Sequence, residues 1–554
     1  MDSRFLRSST ATPMNNRSKT NAGQFDASRH RASLPTDRAC STARVRESAA
    51  RALDIHSDPL FKHHLIQVPK RQSMEKPLRV MKFGGTSVGD AASIRKVVEI
   101  VRRASRTDYV AVVVSAMSGV TSKLVEVANR TGAGDLKQAL ALVLELKQRH
   151  ESAAEALIAS VGAKNEVMKT SRAILHEIEE LCREVAECQI LTPEEADAIA
   201  GAGERLSVYL VAAALQESGV SCEPIEATEL VVTDEHHGAA EPRMDLTRDR
   251  CQARLRAQMR EGVIPVITGF IGATEAGKLT TLGRNSSDYS ATILGAAVDA
   301  DLVEIWTDVD GVLTADPKVV AEARFIPEIS FREAVEMATC GAKVLHTKCL
   351  RPLIPSGIPL RICNTFAPDG PGTKIVPSLA LHGGHAKAIA AAGDFSMVML
   401  RGIDEAVAQN FWGRVESAAN AAAVEIRLAC QSDSKDDVGF VVASSGAGRL
   451  MDAFDREFGA DLSPSYGDAV SLDADVAVVT AVGHNICGNS EFLARVFDAL
   501  TRANIRVLGV RRDYSETSFS FVVAGKHMKA ALIAAHGEFQ PEAASLQSPA
   551  LKTV

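Results

Sequence analysis

The chain has 554 residues, 46% hydrophobic and 24% charged, the proportions of a soluble globular protein, and it is too long for one ordinary domain. A formal net charge of −7 argues against nucleic acid or an anionic membrane as the main partner. No apolar run approaches the length of about 18 residues that a bilayer span needs. The 10 scattered cysteines contain no C-x-x-C pair, which points to reduced thiols in a cytoplasmic compartment and away from a disulfide framework or thiolate metal site.

Residues 1–76 are rich in Arg, Ser, Thr and Ala and hold no periodic apolar pattern. They carry 14 Lys and Arg against 7 Asp and Glu, so the acidic excess lies in the remainder. This reads as a disordered basic tail, with an acid-poor organelle-targeting segment as the alternative. Order is expected from Leu78 to Phe83, a short apolar strand ending in Gly84-Gly85-Thr86-Ser87. Ile94, Val97, Val98 and Val101 then mark one face of a helix, and Tyr109–Val114 forms a buried strand ending in Ser115-Ala116-Met117. Strand, small-residue turn, helix and strand in that order announce an α/β unit with a parallel sheet.

The stretch 121–190 is helical in pattern, and the α/β rhythm resumes with a helix near 195–217 and strands around Pro224, 263–268 and 302–306. Strand ends carrying small polar residues converge on one crevice in such sheets. Beyond a break near 378–392, two similar blocks of about 75 residues read as tandem α+β units. The segment 541–554 reads as a frayed tail.

Three loops bear the chemistry. Lys82 before Gly84-Gly85 puts a cation beside backbone that a phosphate can approach closely, though the Walker order of residues is missing. Gly283-Arg284-Asn285-Ser286-Ser287-Asp288 opens a helix and offers an Arg that can grip a carboxylate with two prongs. Trp306-Thr307-Asp308-Val309-Asp310-Gly311 sets two acids and a turn glycine after a strand.

Together with Gly203-Glu204, Ala315-Asp316-Pro317 and Gly341–His346, these segments resemble, in order, the aspartokinase branch of the amino acid kinase family. The match runs from about 78 to 376, and a weaker resemblance to tandem ACT domains covers about 392 to 540. It implies a three-layer α/β/α, carbamate kinase-like fold with a mainly parallel sheet over 77–378, followed by ferredoxin-like ACT units at 392–465 and 472–540. It implies phosphorylation of the side-chain carboxylate of L-aspartate by ATP with Mg²⁺. Lys82, Gly84, Gly85 and Asp288 would serve catalysis. Ser115, Thr121, Glu204, Phe270, Arg284 and Ser287 would line the aspartate site, with Arg284 on the α-carboxylate and Glu204 on the α-amino group. Thr307, Asp308, Asp316, Lys318 and Lys343, with Lys82, match nucleotide-side positions. No resident metal ligands are expected.

The chain departs from the family at Ser286, where Gly is common, at Leu313, often Tyr, and at Thr347, often Pro. The regulatory half is expected to bind an amino-acid effector, lysine or threonine, near Ser515 and Glu516, although Arg511-Arg512 replaces the usual residues there. Pairing of ACT units implies a homodimer or homotetramer. No appended homoserine dehydrogenase is expected, since the match ends near 540. Rival readings are a kinase for another acceptor on the same fold and a catalytically inactive amino-acid sensor.

Overall fold

The computed structural model describes residues 75–283, 286–340, 345–378, 386–403, 410–431, 437–462, 468–512 and 516–539. The basic tail and the expected site residues Arg284, Lys343 and Ser515 therefore lie outside the described residues.

The N-terminal half of the described chain is built on β1 (Leu78–Phe83), β2 (Tyr109–Val114), β3 (Cys222–Ile225), β4 (Val232–Thr233), β5 (Ile264–Thr268), β6 (Ile271–Thr274), β7 (Leu279–Thr281), β8 (Leu302–Thr307), β9 (Glu328–Ser330), β10 (Leu360–Asn364) and β11 (Thr373–Val376). Eight of these form one sheet in the order β3-β5-β2-β1-β8-β10-β11-β9, parallel throughout except between β10 and β11. A sheet buried on both faces favours apolar side chains on both, which is why β2 reads as an unbroken apolar run and β1 as apolar but for Lys82 and Arg79, the latter paired with Asp108 and Glu304. Alternate residues feed two cores: Leu78, Val80, Ala111 and Val113 one, Met81, Phe83, Val112 and Val114 the other. The three-layer α/β/α expectation holds. From β1 the sheet grows through β2, β5 and β3 on one side and through β8 and β10 on the other. That change of direction opens a crevice at the strands' carboxyl ends.

The helical stretch resolves into Val120–Gly132, Leu136–Leu157 and Val161–Cys188, leading to Pro193–Glu217. Thr192 and Glu195 make a reciprocal capping box at the start of that last helix, with Pro193 in its first turn. It is long and apolar enough to cross a membrane by composition, but it lies buried in the core, as a central helix does.

In the C-terminal half, β12 (Ala388–Leu400), β13 (Ile426–Gln431), β14 (Val438–Ala443), β15 (Val470–Val482), β16 (Val507–Arg512) and β17 (Ser518–Ala524) close into one sheet in the order β12-β14-β13-β16-β17-β15. The strand expected at Met397–Leu400 starts at Ala388 and serves both blocks. It pairs with β15 along most of its length, Ala388–Ala392 with Val482–Val478 and, past an irregularity, Met397–Leu400 with Asp473–Val470, while its residues 395–400 also pair with β14. Helices Phe411–Ala421 and Ser444–Phe458 cover one core, and Ser490–Arg502 and Met528–Gly537 cover another. The second core also takes in Ala315 and Val320 from the N-terminal half. All nine cysteines among the described residues are free thiols, as expected.

Candidate active site

Lys82 is the penultimate residue of β1, 7% exposed, and its Nζ forms an ion pair with Asp288 Oδ1 at the start of the helix Ser287–Ala297. The lysine passes over Gly84, where a Cβ would stand 3.4 Å from Nζ. The Gly84 amide donates to the Trp306 carbonyl at 3.0 Å, so this residue offers a phosphate close approach and not a free donor. Gly85 lies against the turn after β2: a Cβ there would meet Ala116 O at 3.1 Å. Ser87, fully buried, bonds Thr365 Oγ1 at 2.7 Å and Trp306 O at 3.3 Å, tying the β1 turn to the ends of β8 and β10.

Glu204 sits opposite on the helix Pro193–Glu217. Its position depends on Gly203, where a Cβ would be 2.8 Å from Ala116 Cβ, so only glycine lets this helix approach the turn after β2 so closely. The residue is 2% exposed, and Oε2 has no hydrogen-bond partner among the described residues. Burial pushes its pKa up to about 8, against the opposing influence of the Ala116 amide, its own amide and the Lys82 charge. A buried carboxylate oxygen without a donor is costly unless a ligand supplies one, and an ammonium group would do so.

Ser115 and Thr121 flank that turn. Ser115 is buried and its amide donates to Phe83 O at 3.1 Å, while Thr121 is half-buried in the first turn of Val120–Gly132. Phe270 adopts a left-handed backbone, φ 65°, held by its amide donating to Ser290 Oγ at 2.8 Å and its carbonyl accepting from Leu282 at 2.9 Å. Strain of this kind in a non-glycine residue is tolerated where surroundings over-determine it. Gly269 permits Ser287 to approach, since a Cβ would stand 2.8 Å from Ser287 Cβ. At the first departure, the Ser286 hydroxyl is turned inward and donates to Gly283 O at 2.6 Å. Leu313 makes an isolated bridge with Phe325, and Thr347 begins a short 3₁₀ turn, Thr347–Cys349.

The nucleotide-side positions are more open. Thr307 ends β8 and its hydroxyl donates to the exposed Asp308 at 3.2 Å. Asp316 caps its own turn by accepting the Lys318 amide at 2.9 Å, and both side chains are exposed. The structure thus joins Lys82, Gly84 and Asp288 directly and brings Glu204 near them, while Asp316 and Lys318 lie on a loop whose neighbours Ala315 and Val320 pack into the C-terminal half. Of the effector positions, Glu516 has φ 60° and its carbonyl accepts from the Ile486 amide at 2.9 Å. Among the described residues no group of three or more His, Cys, Asp or Glu gathers as a metal site.

Sequence reasoning missed Asp197. This buried carboxylate accepts from the amides of Gly238 at 2.9 Å and Thr281 at 3.0 Å, from the Thr281 hydroxyl at 2.5 Å, and pairs with His237 Nδ1 at 3.0 Å. It locks the approach to the Gly283 loop onto the helix that carries Glu204. Its spacing of two helical turns from Glu204 was the available signal. Thr365 left no signal in the sequence.

With this geometry in place, comparison with known proteins is informative. The model of the amino acid kinase family matches residues 77–364, and that of the ACT domain matches 479–539. The chain belongs to the amino acid kinase family and carries a C-terminal ACT region. It is 29% identical to an aspartate kinase of Stutzerimonas stutzeri over 84% of this chain and 98% of that one. It is 28% identical to the bifunctional aspartokinase/homoserine dehydrogenase of Haemophilus influenzae, covering 83% of this chain but 56% of that one, so it spans about half the length of the bifunctional relatives it matches. Its fold superposes on E. coli aspartokinase III in complex with aspartate and ADP with a TM-score of 0.70 at 26% identity, over 83% of this chain and 99% of that one.

Proposed function

We propose that this chain is an ATP-dependent aspartate kinase under amino-acid feedback. The observation that carries the reading is the buried Glu204 oxygen, without a hydrogen-bond partner among the described residues, near enough to the Lys82–Asp288 ion pair to feel the Lys82 charge. An acceptor with an ammonium group at one end and an anion at the other fits between them. The similarity to aspartate kinases, and to a structure holding aspartate and ADP, supports aspartate and ATP as the pair.

The acceptor carboxylate is ionised at neutral pH, so no general base is required. The barrier is the approach of two anions, which positioning and charge neutralisation overcome. Glu204 takes the α-ammonium, and Arg284 the α-carboxylate. Lys82 places its charge against the transferring phosphoryl group over Gly84 and Gly85. A carboxylate oxygen forms the bond to the γ-phosphorus as the bond to ADP breaks, leaving an acyl phosphate. Mg²⁺ would be held largely by the nucleotide's phosphates, since no group of three or more His, Cys, Asp or Glu gathers among the described residues, and it would supply charge neutralisation there.

The regulatory half is built to reach the nucleotide side. Thr314 accepts the Ile389 amide at 2.7 Å, its hydroxyl lies 2.9 Å from His536 Nε2, and Ala315 and Val320 sit in the core of the second ACT block. Lysine or threonine as effector, a homodimer or homotetramer, ACT units bounded at 392–465 and 472–540, and a cytoplasmic location (organelle targeting as alternative) belong to the same reading.

The test is ADP release by purified protein with MgATP and L-aspartate, set beside L-glutamate, then repeated with lysine or threonine. Aspartate-dependent turnover is expected, with inhibition by one additive naming the effector. Absence of turnover on aspartate, with thermal stabilisation by an amino acid, would mark a sensor.

A further inference from the structure

The turns after β1 and β2 are held together from outside the sheet. Within the pair, Ser118 donates its amide to Gly85 O at 3.0 Å, and Gly89 packs so closely that a Cβ would be 3.3 Å from Gly85 O and 3.5 Å from Ser118 Cβ. Across them lies Arg149, from the helix Leu136–Leu157. Its Nη1 donates to Ser118 O at 2.7 Å and its Nη2 to Gly89 O at 2.9 Å. One planar guanidinium thus bridges a carbonyl from each turn. The next residue after Gly89, Asp90, caps the helix Ala91–Ala104 by accepting the Ser93 amide at 2.8 Å. Gly89 is therefore fixed on both sides, by the arginine and by the helix it leads into.

A guanidinium fork has a rigid spread that an ammonium lacks. Bridging two carbonyls with it sets the distance between their turns, whereas a lysine's three donors sit on one nitrogen at the end of a flexible stem and impose no such spread. The first turn carries Gly84 and Gly85 and the second follows Ser115, so the bridged distance separates the two reacting groups. We propose that Arg149 is a positioning residue for phosphoryl transfer, setting the separation of the phosphoryl-holding turn from the acceptor-holding turn. This rests on the reading that the first turn faces ATP and the second aspartate. Arg149 touches neither substrate; it acts through Gly89 and Ser118.

The experiment compares Arg149→Ala and Arg149→Lys with the wild-type full chain, measuring kcat, both KM values, melting temperature and amide hydrogen exchange. In Arg149→Ala, kcat is expected to fall about tenfold to a hundredfold, the cost of a small misplacement of reacting groups. Both KM values are expected to stay within about threefold, because each substrate's own contacts remain. Arg149→Lys should fall between, and added methylguanidine should restore part of the lost kcat in Arg149→Ala. The Ser118 and Gly89 amides should exchange faster in Arg149→Ala, with β1 and β2 unchanged. A kcat within twofold of wild type, or a loss confined to KM or melting temperature, would overturn the proposal. If the wild type does not phosphorylate aspartate, the activity assigned above fails; exchange at Ser118 and Gly89, and kcat with whichever acceptor is used, still judge Arg149.

Discussion

Lys82 and Asp288 meet as an ion pair between the end of the central strand and the first turn of the helix Ser287–Ala297. The pair lies on one face of β1, with Leu78 and Val80 beneath it in the core. Asp288 keeps the buried cation neutralised at rest, and arriving phosphates compete for the same charge.

Lys82→Ala is accordingly expected to lose about 10²–10³ in kcat, the usual cost of removing one preorganised charge or donor from a transferring group. The KM for aspartate should change far less. Steady-state kinetics at saturating MgATP decides it, and near-normal turnover would remove Lys82 from the chemistry.

Glu204 predicts two pH effects of definite sign. Its folded-state pKa, about 8, lies above its ordinary 4.5, so the folded protein without ligand favours the protonated acid. Stability from this group is complete below about pH 4.5 and is lost as pH climbs toward 8, then levels off. Urea titrations of Glu204→Gln against wild type should show a gap widening in the variant's favour across that window. An ammonium ligand prefers the ionised form, so aspartate should bind more tightly toward pH 8 and release a proton near neutrality. Calorimetry in two buffers of different ionisation heat measures that proton; its absence would contradict the assignment.

Two glycines separate a packing effect from a site effect. A Cβ at Gly295 would stand 2.4 Å from Val303 Cγ2, far from ligand, and one at Gly203 2.8 Å from Ala116 Cβ, beside Glu204. Both Ala variants should lose about 1–3 kcal/mol by overpacking. Only Gly203→Ala should also raise the aspartate KM. Equal KM values for the two would argue that the helix–turn contact does not place Glu204.

His536→Ala and Thr314→Val each remove one hydrogen bond between the nucleotide-side loop and the last helix. A loss of about 1 kcal/mol corresponds to roughly fivefold. It should appear in the KM for ATP and in the effector concentration for half-inhibition, with the aspartate KM unmoved. An unchanged ATP KM would place the regulatory route elsewhere.

Much of the fold and part of the site were legible because they are local. The mainly apolar β1, the unbroken apolar run of β2, the Thr192–Glu195 box and the Lys82-to-Ser87 turn are written within a few residues of chain. The identity of the charged residues near the crevice followed from motif order. Asp197, Thr365 and Arg149 were harder to read, because each acts through partners dozens or hundreds of residues away, and only Asp197, two helical turns from Glu204, sits in a recognisable spacing.

By itself the sequence determined the parallel α/β core, the turns with their Lys, Glu and Asp side chains, and the presence of a second α+β region. Side-chain periodicity states whether a residue is buried, since burial is paid for residue by residue. It does not state against what. Only the tertiary structure decided that Gly203 lets Glu204 reach the Ala116 turn without a partner for its oxygen, and that β12 serves both regulatory blocks. It also decided that Ala315 and Val320 complete the core of a different domain. Apolar contacts are non-directional, so any buried face satisfies an alanine or a valine; close packing of the whole chain selects which one.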